Sequence, residues 1–456
     1  MYLTERPSLD RTRKSGTTQR VAGTVVLMGI VSMFTDISSE SVNAILPLYL
    51  TAVVGLGPLA YGFIDGIYQG ISALVRILGG WLADRGDHPK WIAFFGYALS
   101  AITRIALIPA ASFATITTVI SVDRLGKGIR TAPRDAVITA SSHPDSLGRA
   151  FGVHRALDTL GAVIGPLLAF AILQAVSGNS RTAEDFRPIF VISFAAAVIG
   201  LAILLLVVPD VRPRRQAARS AGAAGAGQPT VAEPPAAATQ PAAPVTSRPS
   251  LKLLADRRFA LLITAAGILG VLTVGDGFVY LALQRRDNLA INYFPLLYVG
   301  TNLAYFAMAI PFGRIADRLG RSKMFLAGHV VLPVAYVLAG APISGPYVVV
   351  SCLLLLGTYY AATDGVLAAL AGRIVDPAAR TSGIATAQTV QAVARFVSSL
   401  AFGLSWTLFG ARTALYLVAG VLAVVVTIGW LLLLRTNLKP DEPRTASSDP
   451  NGVATS

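Results

Sequence analysis

Ionisable side chains recur at helical spacing within stretches that are otherwise apolar. Asp36 and Glu40 lie one turn apart. Asp65, Gln69, Ser72 and Arg76 follow at i, i+4, i+7 and i+11. Asp123, Lys127, Arg130 and Arg134 form a second stripe, and His154 and Asp158 share a face beside Arg155. In the second half of the chain the polar positions are Asp276, Asp364, and Gln388, Gln391 and Arg395, the last three on one face. Tyr280, Tyr359 and Tyr360 are the aromatic residues placed to join them. Carboxylates and cations striped along helices bind charged solutes, and a carboxylate whose surroundings alternate between wet and dry takes up and gives back a proton. Other chemistry is poorly served. The four histidines (His88, His143, His154, His329) are scattered, Cys352 is the single cysteine, and neither a metal-ligand pair nor a serine elbow nor a P-loop is present. No cofactor or metal is expected, and an enzyme or a non-transporting receptor is a remote alternative.

The elements that must position these groups are membrane helices. The chain of 456 residues is 54% hydrophobic and only 14% charged, against about 25% charged in soluble domains. Its mean hydropathy is +0.62. Apolar runs near 20 residues match a bilayer core, in which a chain must satisfy its own backbone hydrogen bonds. Twelve helices are expected near 22–52, 59–83, 91–111, 114–141, 147–175, 188–208, 258–283, 293–315, 323–341, 346–373, 382–409 and 412–434. A charge at mid-bilayer costs at least ~2.5–3.5 kcal/mol, so the stripes should face a wet cavity or pair with one another. Asp123 with Lys127, Arg134 with Asp135, and Asp158 with His154 or Arg155 are the pairs that spacing offers.

The net charge of +14 does not imply nucleic acid. Basic residues gather in the N-terminal tail, the central segment and the C-terminal tail, a positive-inside distribution that puts both termini in the cytoplasm. The division expected is a tail at 1–21, a six-helix bundle at 22–208, a linker rich in Ala, Pro, Gly and Arg at 209–256, a second bundle at 257–434, and a tail at 435–456. The halves repeat: Gly80-Trp-Leu-Ala-Asp84-Arg85 is echoed by Gly313-Arg-Ile-Ala-Asp317-Arg318, and Arg149-Ala-Phe-Gly152 by Arg380-Thr-Ser-Gly383.

These motifs resemble the major facilitator superfamily over the whole chain outside the tails and linker. Gly313, Asp317, Arg318, Gly320 and Arg321 are similar to its signature between helices 2 and 3 of each half; the first copy keeps Gly80, Asp84 and Arg85 and then departs from it. The resemblance implies an all-α membrane fold of twelve helices in two pseudo-symmetric six-helix bundles, with these residues as a cytoplasmic gate. Arg124 in Asp123-Arg124-Leu-Gly-Lys127-Gly128 is similar to an element linked to proton coupling. Gly152, Gly161 and Gly165-Pro166 resemble the helix-5 packing motif of proton antiporters that export solutes.

The expected function is a secondary transporter in the cell membrane, monomeric, with a small solute and protons as partners. Proton-coupled efflux is the first reading, import by symport or facilitation the alternative. Asp36, Glu40, Arg124 and Asp158 are the proton-coupling candidates, Asp36 first, with Arg124 modulating it. Asp65, Gln69, Arg76, Asp123, Lys127, His154, Asp276, Tyr280, Tyr360, Asp364, Gln388, Gln391 and Arg395 are the cavity candidates.

Overall fold

Twelve spans run back and forth in the computed structural model. It describes residues 22–85, 88–143, 146–176, 182–212, 253, 255–364, 366–376 and 379–435, without the side chains at 72–74, 76–85, 381 and 433–435. The tails and nearly all of the expected linker lie outside these residues. In the first half are α1 (Gly23–Val53), α2 (Pro58–Arg85), α3 (Pro89–Ala106), α4 (Phe113–Ala140), α5 (Leu147–Ala175) and α6 (Ala183–Leu206). The second half comprises α7 (Arg257–Asp287), α8 (Ile291–Leu319), α9 (Arg321–Gly340), α10 (Pro346–Ile374), α11 (Arg380–Phe409) and α12 (Ala411–Arg435). Among the described residues nine helices are long and apolar enough to cross a membrane; α2, α3 and α4 fall outside that group. The first residue of α1 and the last of α12 share one face, called the terminal face below; the opposite one is the far face.

Local chemistry sets the ends. Ser112 caps α4 by accepting from the Thr115 N–H at 3.2 Å, and Thr182 with Asp185 does the same for α6. Lys90, at the start of α3, sends its ammonium to the Leu205 and Val208 carbonyls at the end of α6, at 3.0 and 2.5 Å. It satisfies acceptors that a helix C-terminus leaves open. The expected spans differ from the observed ones where polar residues continue a helix past the apolar stretch: α6 begins at Ala183 through its capping box, and α8 runs on to Leu319. Three spans are irregular. The far end of α1 widens into a looser turn over Tyr49–Val53, α7 breaks between Val271 and Asp276, and α10 breaks at Asp364, which leaves the helical conformation.

The halves close on each other toward the far face. Glycines allow it: a Cβ on Gly403 of α11 would stand 2.6 Å from the Pro58 carbonyl, and one on Gly66 of α2 would stand 2.9 Å from the Phe396 ring. Tyr61 and Phe278 stack edge to face at 4.7 Å, and Asn292 of α8 donates to Gln174 of α5 at 2.8 Å. Toward the terminal face, ideal Cβ atoms on Gly148, Gly152 and Gly313 meet nothing within 4 Å. The contacts between the halves at Gly403, Gly66, Tyr61 and Asn292 all lie toward the far face.

Candidate functional site

Inside the first half the basic stripe of α4 is largely consumed by ion pairs. Asp123 is 3% exposed and takes Arg104 of α3 at 2.7 Å on one oxygen and Arg124 on the other. Arg124 also lies flat on the Tyr68 ring of α2, 3.7 Å from its centroid. Two guanidiniums on one carboxylate, plus a ring face, form a buried brace. Asp123 is therefore enclosed within the first half, and its partners are Arg104 and Arg124 rather than Lys127. Sequence reasoning passed over Arg104; a lone arginine near the end of an apolar helix was the available signal.

Lys127 reaches instead to Glu40 on α1, at 3.9 Å, with both side chains partly open (34% and 23%). Glu40 also accepts from Asn43 at 3.0 Å. Asp36, one turn before Glu40, meets Asp158 of α5 within hydrogen-bonding reach, and the charges around it are Lys127, Glu40, Asp158 and Arg130. Arg124 is not among them, because Asp123 and Tyr68 hold it away. Asp158 pairs with Arg134 at 3.8 Å, and Arg134 with Asp135 at 3.0 Å. His154 is 3% exposed and bonded to Ser32 at 3.0 Å, so it braces α5 on α1 instead of facing a solute.

The close approach of α1 and α5 rests on the helix-5 glycines. A Cβ on Gly161 would collide with the Met33 carbonyl, and one on Gly165 would stand 2.8 Å from the Ser41 nitrogen. A Cβ on Gly152 would meet nothing within 4 Å, so no close helix approach depends on that glycine.

In the second half, the Tyr360 hydroxyl donates to Asp276 at 3.0 Å, across the α7 break. Tyr305 donates to Asp364 at 3.3 Å where α10 breaks. Arg395 is the nearby cation for Asp276 and for Asp65, and Asp65 also engages Gln69 and Ser399. Tyr280 is fully buried and donates to Thr301 at 2.7 Å, so it packs rather than lines the gap. Gln388 is exposed and Gln391 half-buried on α11. The side chains of Arg76, Gly80, Asp84 and Arg85 lie outside the described residues. In the second-half copy of that motif, Asp317 is 71% exposed and pairs with Arg321 one turn away at 3.8 Å. Gly320 adopts φ 92° at the corner between α8 and α9.

A pocket inside the first half, between Ser39, Asn43, Tyr68, Arg104 and Asp123, holds about 10 Å³. That is room for about one water. That is too small for a solute; partly open polar groups elsewhere are Lys127 and Glu40 in the first half and Asp276, Tyr360 and Arg395 in the second.

Comparison with known proteins agrees with this architecture. The family model described as Major Facilitator Superfamily matches residues 28–300 and 288–455. An uncharacterised MFS-type transporter of Methanocaldococcus jannaschii is 29% identical over 415 residues, covering 90% of this chain and 94% of its own. An uncharacterised protein of Mycobacterium tuberculosis is 30% identical over 156 residues, 34% of this chain and 38% of its own. Among solved structures, the nucleoside transporter NupG superposes with a TM-score of 0.73 at 14% identity, covering 90% of this chain and 99% of that one. A bacterial homologue of the human lysosomal transporter Spinster, in an inward-facing and unoccupied conformation, gives 0.69 at 15% identity, covering 92% and 98%. At such identities the likeness is one of fold.

Proposed function

The chain belongs to the Major Facilitator Superfamily and is a membrane transporter, not an enzyme, and from that premise we propose that it exports a small solute in exchange for protons. The observation that carries the reading is the meeting of Asp36 on α1 with Asp158 on α5. Two carboxyl groups bond to each other only when one holds a proton, because like charges at contact repel. This pair sits midway along both helices, beside the partly open Lys127–Glu40 pair. A change of state that lets water in between the two carboxyls frees the proton, so proton release is tied to that change.

In this reading Lys127 and Glu40 meet the solute from the first half, and Asp276, Tyr360, Gln391 and Arg395 meet it from the second. The Gly313–Arg321 segment, together with Gly80, Asp84 and Arg85, closes the terminal face in the opposite state. The positive-inside distribution supports a cytoplasmic position for both termini in the cell membrane; the working unit in this reading is the monomer.

The experiment begins with a thermal-shift screen of the purified protein against metabolites, chelators and drugs to find a solute. That solute is then added to everted vesicles carrying an acidic lumen. Exchange alkalinises the lumen, and Asp36→Asn abolishes the signal while keeping the thermal shift. Alkalinisation of parental size in Asp36→Asn would remove the carboxyl pair from the mechanism.

A further inference from the structure

Asp65 belongs to α2 of the first half, yet the second half holds its carboxylate. Oδ2 accepts from Ser399 of α11 at 2.5 Å, across 334 residues of sequence. The same oxygen lies 2.6 Å from where a Cβ on Gly275 would stand. Gly275 precedes the twelve-residue far-side segment of α7, Asp276–Asp287, so the carboxylate fills the break in that helix. The first-turn N–H groups of a helix have no acceptor within it, and a negative charge at that end is favourable. Arg395 of α11 supplies the counter-charge, Asp276 of α7 is the opposing carboxylate, and Tyr61 and Gln69 of α2 with Tyr298 of α8 complete the surroundings.

Around this point the α2 and α11 backbones touch. A Cβ on Gly62 would collide with the carbonyl of Ser399 itself, and Gly66 and Gly403 flank the contact on either side. Packing this tight leaves no play: the seam is either closed with Asp65 seated or parted with Asp65 withdrawn.

We infer that Asp65 is the lock of the far-side closure, a first-half carboxylate seated in the α7 break and tied to Ser399, which must withdraw before the far face can open. The lock is two steps from the solute. Tyr360 bonds Asp276, the residue after Gly275, and Arg395 serves Asp276 and Asp65 together. A ligand that draws Arg395 or Asp276 toward itself takes the counter-charge from Asp65 and loosens the seam. The lock rests on alternating access alone and not on proton exchange.

The test places spin labels on the far face, at Ala111→Cys in the first half and Ile343→Cys in the second, both exposed positions. Cys352 is fully buried and stays unlabelled. Pulsed electron spin resonance of the full chain in nanodiscs then reads the separation. The parent gives mainly the short distance of the closed seam. Losing a hydrogen bond to a charged group shifts such a balance about tenfold, so Asp65→Ala and Ser399→Ala each raise the long-distance population by that factor. Should Asp65→Ala fail to fold, Ser399→Ala, which removes one hydroxyl, decides alone. Ser398→Ala is the control, because its hydroxyl bonds Thr273 within the second half at 2.7 Å. Parental distances in Ser399→Ala, or an equal shift in Ser398→Ala, would overturn the lock.

Discussion

The Arg104 guanidinium meets the Asp123 carboxylate at 2.7 Å where each side chain exposes 5% of its surface. Arg124 occupies the other oxygen, so removing Asp123 strands two buried cations at once. Asp123→Ala is expected to destabilise the protein by about 3–5 kcal/mol, the range for breaking a buried pair by deleting one partner. The measurement is thermal unfolding of the detergent-purified variant. A melting temperature within a degree or so of the parent's would show that the brace does not support the fold.

The glycines of α5 should divide. Gly161→Ala forces a methyl into the Met33 carbonyl and should cost about 1–3 kcal/mol, as overpacking does. Gly152→Ala meets open space and should be neutral, or stabilising by about 0.4–1 kcal/mol through the unfolded chain. Parallel melting curves of the two variants check the contrast; equal losses would contradict the packing described.

The proton proposed to lie between Asp36 and Asp158 would have a spectroscopic counterpart. At neutral pH the parent should show the infrared carbonyl stretch of a protonated carboxylic acid. Asp36→Asn should reduce it, since Asp158 then keeps Arg134 as its partner at 3.8 Å and stays ionised. An undiminished band in that variant would place the proton elsewhere.

Lys127 and Glu40 form a weak pair by design of their surroundings: 3.9 Å apart and partly solvated. A double-mutant cycle with Lys127→Gln and Glu40→Gln, read by thermal unfolding, should give a coupling below about 1 kcal/mol. Solute binding in the single variants should fall far more than stability does. A coupling of several kcal/mol would make the pair part of the scaffold.

Much of this was legible in the residues. Apolar length and interrupted basic loops gave twelve spans in two halves, and i, i+4 spacing put Asp36 beside Glu40 and His154 beside Asp158. Periodicity fixes which face of a helix a side chain occupies, but not which helix comes to meet it. Asp123 was therefore assigned to a cavity, though Arg104 from another helix encloses it. The Asp65 partner lies 334 residues away, and no local pattern carries information over that distance. The breaks at Gly275 and Asp364 were equally hidden, because both sit in sequences apolar enough to read as continuous helix. Tyr280 and Tyr360 look alike in sequence; only packing decides that one is sealed against Thr301 and the other bonded to Asp276.

Lys90 fastens the start of α3 to the last carbonyls of α6, close to where the chain leaves the first half for the second. One ammonium thus holds two carbonyls of the closing turn of α6, so the end of that helix is fixed to the start of another rather than left to fray. Replacing the lysine would leave the polar groups between the halves untouched and deprive the Leu205 and Val208 carbonyls of their donor.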